Sequence, residues 1–302
     1  MYFPTQAKGI ITTDDDPRLA NAVLMFAPQN WGQVDRFAKL YSGTYKFRPR
    51  DSKALSGVAA HIEKALIFKS LAEELRSTLE IDHEELNTRG FTPANHARKL
   101  AAVVESFVTE LYSTIDCTAQ VLCAVLGPKT RGFKSSTSFL FTKFDKIVGL
   151  PQPITDAIAA AEWYLPLRYL RDELTHSTTG HCNLDNDTGL VRYAHYGMKK
   201  NDKPLIYDDI FITMEANFKL VNLFLGQVFH FLLSTLGDRP VNQICGITKG
   251  RMLMRSIVPT EPLSFDSGIC LSHQWFELPE NPDCPFVVKC GAYWRTKASI
   301  AT

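Results

Sequence analysis

The chain has 302 residues, 45% of them hydrophobic and 22% charged, which suits a globular protein with a well-buried core. Its 33 Lys and Arg against 32 Asp and Glu leave a formal charge of +1, too even a balance for coating long nucleic acid by charge, though not for a small local site acting on RNA or a nucleotide. The N-terminal MYFPTQAKGIITTDDDPR has no basic segment followed by an apolar core, so no signal peptide is expected, and seven cysteines then read as reduced thiols in a cytoplasm.

Residues 1 to 50 are mixed, with strand-like pieces at GIITT and NAVLMF. From Asp51 to Leu79 the spacing of Leu55, Val58, Ile62, Leu66 and Leu71 predicts a helix. Phe91-Thr92-Pro93 opens a long helix from Ala94 to Leu126, its stripe built on Leu100, Val103, Val104, Phe107, Val108, Leu111, Ile115, Leu122 and Val125. A shorter helix is expected over Ser138 to Val148, and another from Thr155, as N-cap, to His176, kinked at Pro166. Asp185 to Gly189 reads as a hairpin turn and Leu190 to Tyr196 as a strand. A second long helix runs from Asp208 to Leu236. Its Lys219, Asn222, Gln227 and His230 suit a buried helix better than a membrane span. Past Pro240 the chain turns to Pro-rich, cysteine-containing short strands. The expected fold is mainly α: an antiparallel helical bundle with a β-hairpin insertion and less regular terminal segments. The expected division is 1–93, a mixed segment packing on the bundle; 94–238, the bundle; and 239–302, a β-rich tail.

The segment LPLRYLRDELTHSTTGHC, residues 165 to 182, holds the densest chemistry. On a helix, Trp163, Leu167, Leu170 and Leu174 share one sector and face the core, while Arg168, Asp172 and His176 form a row on the opposite side. Arg171 lies at the edge between them. Asp172 is placed to accept the His176 N–H and orient the ring, and Arg171 supplies a permanent cation. A base for a ribose 2′-OH and a cation for the phosphorane are the groups that RNA phosphodiester cleavage needs.

Arg171-Asp172-Glu173-Leu174-Thr175-His176 resembles the motif of the HEPN ribonuclease family: an Arg, a polar residue directly after it, and a His after four to six intervening residues, near the end of a bundle helix. The order of helices is similar too, with a long helix bearing Glu105 and Glu110, then the motif helix, then the helix from Asp208; the resemblance covers roughly residues 94 to 238. It implies a HEPN-like helical domain working as a homodimer that cuts RNA without a metal or other cofactor. In such an enzyme His176 would be the general acid/base, Arg171 the transition-state cation and Asp172 the residue orienting His176. Family members often serve as toxins or antiviral defence effectors, which implies an antitoxin or regulatory partner. Others are inactive modules that bind nucleotide, RNA or protein. A second match, Arg89 to His96 in RGFTPANH, lacks the polar neighbour and is broken by Pro93.

The strand VRYAHYGMKK places Arg192, Tyr193, His195, Tyr196 and Lys199 close to the motif. With Arg168, the first three are candidate substrate contacts that would stack bases and hold phosphate, or else they belong to an edge strand with a solvated face. Cys270, His273, Cys284 and Cys290 are zinc-type ligands at irregular spacing between prolines, so buried thiols are the expected reading and no metal is assigned. His181-Cys182 has no orienting partner for a nucleophile, and Cys117 and Cys123 read as core filler.

Overall fold

The structure is a computed structural model that describes residues 32–176, 178–200, 203–261 and 267–301. GIITT and NAVLMF lie outside the described residues. Of the described residues about 60% are helical, with two small antiparallel sheets among them, so the fold is mainly α. In order, its elements are α1 (Gln33–Leu40), α2 (Pro49–Arg76), α3 (Leu79–Arg89), α4 (Asn95–Leu126), α5 (Thr137–Thr142), α6 (Gln152–Ala159), α7 (Tyr164–His176), β1 (His181–Leu184), β2 (Val191–Lys200), β3 (Lys203–Tyr207), α8 (Ile210–Ser234), β4 (Val241–Thr248), β5 (Arg251–Ile257), β6 (Ile269–Cys270), α9 (His273–Phe276) and α10 (Gly291–Ala301).

Two compact units emerge, and their borders differ from the sequence division. One holds Asp51–Phe224; the other holds residues 32–50 together with 225–301. The first reaches back to Asp51 because α2 and α3 bind α4 directly. A Cβ at Gly57 would sit 2.7 Å from the Cys117 sulfur, and His61 Nδ1 lies 2.5 Å from Glu110 Oε2. Asp82 on α3 accepts from the amides of His96 (3.3 Å) and Ala97 (2.8 Å), satisfying the first turn of α4, whose own N-cap residue, Ala94, has no capping side chain.

Along α4 nearly every predicted stripe residue is buried, from Leu100 to Val125, with Val103 half-buried. The predicted helix from Thr155 to His176 is two helices. A continuous helix would bury Pro166 in its interior at a cost of about 3 kcal/mol. Breaking between Ala159 and Tyr164 instead puts Pro166 in the first turn of α7, where no intrahelical bond is lost, and lets Trp163 bury its ring. Pro151, not Thr155, is the N-cap of α6. Similarly, the helix expected over Ser138 to Val148 stops at Thr142; Val148 instead pairs with Arg131 as an isolated bridge flanked by Gly132 and Gly149 at positive φ.

The first sheet has the order β1-β2-β3, so β2 is its central strand and not an edge. Asp185 Oδ1 accepts from the amides of Asp187 and Thr188 (both 3.1 Å), and Gly189 takes φ 68°, which makes the expected turn. Of α8, residues Val221 and Phe224 pack in the first unit, where Phe224 meets Phe141 and Trp163 at ring centroids of 5.3 and 5.9 Å. This helix is long and apolar enough to cross a membrane by length and composition.

In the second unit, Phe37 gathers Tyr41, Tyr45, Phe47 and Phe229 into an aromatic cluster, and Tyr45 donates to Thr235 Oγ1 at 2.7 Å. Its sheet has the order β4-β5-β6, joined by a tight turn at Lys249 and Gly250, both at positive φ.

Candidate active site at the end of helix α7

Helix α7 lies on α4 with Leu167 and Leu170 buried, like Trp163 just before it, whereas Leu174, expected on the same core face, is half-buried. Arg171 is the most constrained. Its guanidinium sits 3.8 Å from the Tyr112 ring centroid, with Nη1 3.1 Å from Asp172 Oδ1 and Nη2 4.0 Å from Asp116 Oδ2. The side chain is 23% exposed and its buried Nε has no hydrogen-bond partner. Tyr112 is itself fixed, sharing a 3.1 Å hydroxyl hydrogen bond with Tyr164, whose ring stacks on Phe141 at 3.9 Å. Stacking plus two carboxylates sets the plane of this cation in advance.

Asp172 does not orient His176. Its Oδ2 pairs with Arg168 Nε at 3.3 Å and its Oδ1 with Arg171, so the carboxylate bridges two guanidiniums. The competition is one of charge: an arginine on each side holds the carboxylate more strongly than a solvent-exposed imidazole one turn away. Arg168 also donates to Ser138 Oγ at 2.7 Å. His176, the last residue of α7, is exposed and makes no hydrogen bond or ion pair among the described residues. Asp116 closes the cluster from α4. Burial pushes its carboxyl above the usual range, while a hydrogen bond from Thr137 and the charges of Arg171 and Arg168 pull the other way.

The three candidate contacts on β2 divide by strand alternation. Arg192 is exposed and pairs with Asp185 at 2.6 Å. Tyr193 and His195 face inward, 1% and 0% exposed, so neither offers a face for a base to stack on. Tyr193 donates to Glu105 Oε1 at 2.9 Å; burial pushes its hydroxyl pKa up, helped by the Glu105 charge. His195 Nε2 lies 2.9 Å from the Thr178 carbonyl, which only accepts, so Nε2 carries the proton and Nδ1 is left buried without a partner. The same Glu105 oxygen accepts from the Gly180 amide at 2.6 Å. Glu105 and β2 thus hold the segment leaving His176. Gly180 is required there, because a Cβ would lie 2.2 Å from the Tyr193 ring.

Sequence reasoning missed Tyr112 and Asp116, and noted Glu105 only as an acid on the long helix. A signal was present. Glu105, Tyr112 and Asp116 are spaced by seven and then four, which puts three polar groups on one stripe of α4. Cys182 is buried and its thiol is pushed up to about 12, chiefly by burial, so the His181-Cys182 pair offers no nucleophile. Cys117 is raised to about 11 for the same reason. No family model, no curated protein and no solved structure matches this chain.

Proposed function

We propose that the chain is a metal-independent endoribonuclease of HEPN type, acting in the cytoplasm as a homodimer, with His176 as general acid/base and Arg171 as the cation that meets the developing phosphorane charge. The observation that carries this reading is the contrast between the two side chains. Arg171 is held in place by Tyr112, Asp116 and Asp172, while five residues further on His176 ends the helix with its ring free in solvent. A preset cation beside an uncommitted imidazole suits attack of a 2′-OH on its own phosphate. Arg168 and Arg192, each paired to a carboxylate, would be released to RNA phosphates by exchange of one anion for another.

The test is cleavage of RNA by the purified chain and its variants. His176→Ala and Arg171→Ala are each expected to lower the rate by about 10²–10⁴ while RNA affinity and the far-ultraviolet spectrum persist. Products should carry 2′,3′-cyclic phosphate ends, 2′-O-methyl RNA should resist, and brief chelation of Mg²⁺ should leave the rate unchanged. Unaltered cleavage by His176→Ala would remove the proposal.

A second reading, a HEPN-like module that binds RNA, nucleotide or a regulatory protein without cutting, is favoured by one specific observation: both guanidiniums of the motif helix are already engaged by Asp172. Under that reading Asp172→Asn tightens RNA binding and no variant changes a cleavage rate, because there is none. Under the first, Asp172→Asn slows cleavage by loosening Arg171.

A further inference from the structure

The segment between α4 and α6 carries a charge pattern that the motif residues leave unused. Residues 129–146 contain Lys129, Arg131, Lys134, Lys143 and Lys146 against one acid, Asp145, a net of +4 (5 − 1). The whole chain nets +1, so everything outside this segment nets −3 (1 − 4). All five cations are exposed, and none makes an ion pair among the described residues. Elsewhere in the same unit Lys69, Arg89, Arg192 and Lys219 are each paired to a carboxylate.

The backbone holds these charges together. Arg131 and Val148 exchange two amide hydrogen bonds of 3.0 Å, which closes the segment into a loop with joined ends. Gly132 and Gly149 flank that bridge at φ 87° and 84°. A Cβ at Gly132 would lie 3.1 Å from the Lys146 carbonyl, and one at Gly149 3.6 Å from the Lys129 carbonyl. The stretches carrying Lys129, Arg131 and Lys146 therefore run side by side. Lys143 follows directly on α5, and Lys134 lies over the Phe139 ring at 5.1 Å. Like charges gathered in this way repel one another until an anion meets them.

The inner side of the loop is fastened to the motif. Ser138 accepts from Arg168 at 2.7 Å, Thr137 donates to Asp116, and Phe141 stacks on Tyr164 at 3.9 Å. A polyanion resting on the loop is thereby led to Arg168, the first member of the row that ends in His176. Phe133, Phe139 and Phe144 alternate with the cations and are half-buried. Cations interleaved with aromatic rings suit a single strand, whose phosphates meet the charges while its unpaired bases stack.

We infer that the loop 129–146 is a docking platform for the backbone of single-stranded RNA, which it delivers to the motif helix. The inference rests on RNA as the substrate class of the proposed site, and adds where the strand is held outside the reacting phosphate. Each phosphate neutralised on a single strand releases counterions, so log affinity falls with log salt by about 0.7 per contact. Four contacts among the five cations give a slope of about −3.

Binding is read separately from cleavage. The probe is a fluorescein-labelled 2′-O-methyl oligouridine of about 12 nucleotides, which the proposed reaction cannot cut. Its Kd for the full chain should rise roughly 50-fold between about 50 and about 200 mM potassium chloride. The double variants Lys129→Gln/Lys146→Gln and Lys134→Gln/Lys143→Gln should each weaken binding by about tenfold or more at the lower salt, and reduce the slope by about 1.4. Lys53→Gln/Lys99→Gln removes the same charge from exposed positions of α2 and α4, and should change Kd by less than about twofold. The substituted side chains are all exposed, so far-ultraviolet spectra should match the wild type. RNA that is bound with this dependence but never cut would end the ribonuclease reading and leave the platform standing. RNA that is cut while both platform variants keep the wild-type Kd and KM would overturn the platform and leave the ribonuclease reading standing. An equal loss in Lys53→Gln/Lys99→Gln, tighter binding of duplex than of single strand, or an effect of the platform variants confined to phosphatidylserine vesicles would also overturn the platform.

Discussion

At the scale of single residues, the charges around Arg171 set a pH dependence that belongs to Asp116. Burial raises its carboxyl above the ordinary value of 3.8, although the side chain is about half exposed at 49%. A carboxyl raised in the folded state holds its proton there when the unfolded chain has already lost it, so folding stability falls as pH rises from the ordinary value through the raised one. Below that window the carboxyl is neutral in both states and the penalty vanishes. Asp116→Asn, which cannot ionise, is therefore expected to flatten the stability curve across that acidic window and to gain on the wild type above it. Urea unfolding at a series of pH values measures the difference, and parallel curves would show that Asp116 ionises without cost. The motif itself was legible because Arg, Asp and His stand in order on one helix. The partner of Asp172 was not, since helical spacing offers it Arg168 four residues before and His176 four after equally well. Local competition for charge decided between them.

Secondary structure was most legible where apolar periodicity runs long, as along α4, and least where a single proline or glycine sets the outcome. Pro166 has the effect of starting α7, not kinking it. Pro166 is buried there, so Pro166→Ala is expected to destabilise by about 1 kcal/mol, through a more flexible unfolded chain and the lost ring carbons, with no gain from a restored interior helix bond. Gly180 is the opposite case. Its sequence context, Thr-Thr-Gly-His, shows only a helix end, yet the structure leaves no room for a Cβ against Tyr193. Gly180→Ala must push that ring off Glu105, adding an overpacking cost of about 1–3 kcal/mol to a lost buried hydrogen bond of similar size. Chemical denaturation of the two variants side by side checks both. Equal, small effects would mean that the loop after His176 is not held by Tyr193 and Glu105. The alternation of β2 was legible as well, but not its inward phase, which depends on pairing with strands on both sides.

At the scale of the whole molecule, the proposed chemistry asks for more than one chain supplies. In-line attack sets the 2′ oxygen and the leaving 5′ oxygen on opposite sides of phosphorus, and one imidazole is poorly placed to serve both. Each chain offers one motif histidine, and Leu165, Tyr169, Asp172 and His176, spaced by four, three and four, align on a single stripe of α7. Leu165 and Tyr169 are 39% and 42% exposed on that stripe, which gives His176 apolar neighbours at the surface, while the adjacent Tyr164 is buried. Two copies meeting along this stripe about a two-fold axis would cover those side chains and bring a second His, Arg and Asp into one cleft. Mixing inactive His176→Ala and Arg171→Ala chains under conditions of subunit exchange is then expected to restore part of the activity, since roughly half of the dimers formed at equal input are mixed. Tyr169→Glu, which places a charge on the proposed contact, should abolish both association in sedimentation and cleavage without unfolding the chain. A Tyr169→Glu monomer that cleaves RNA at the wild-type rate would place the whole reaction within one chain, and would leave the apolar stripe on α7 without a catalytic purpose.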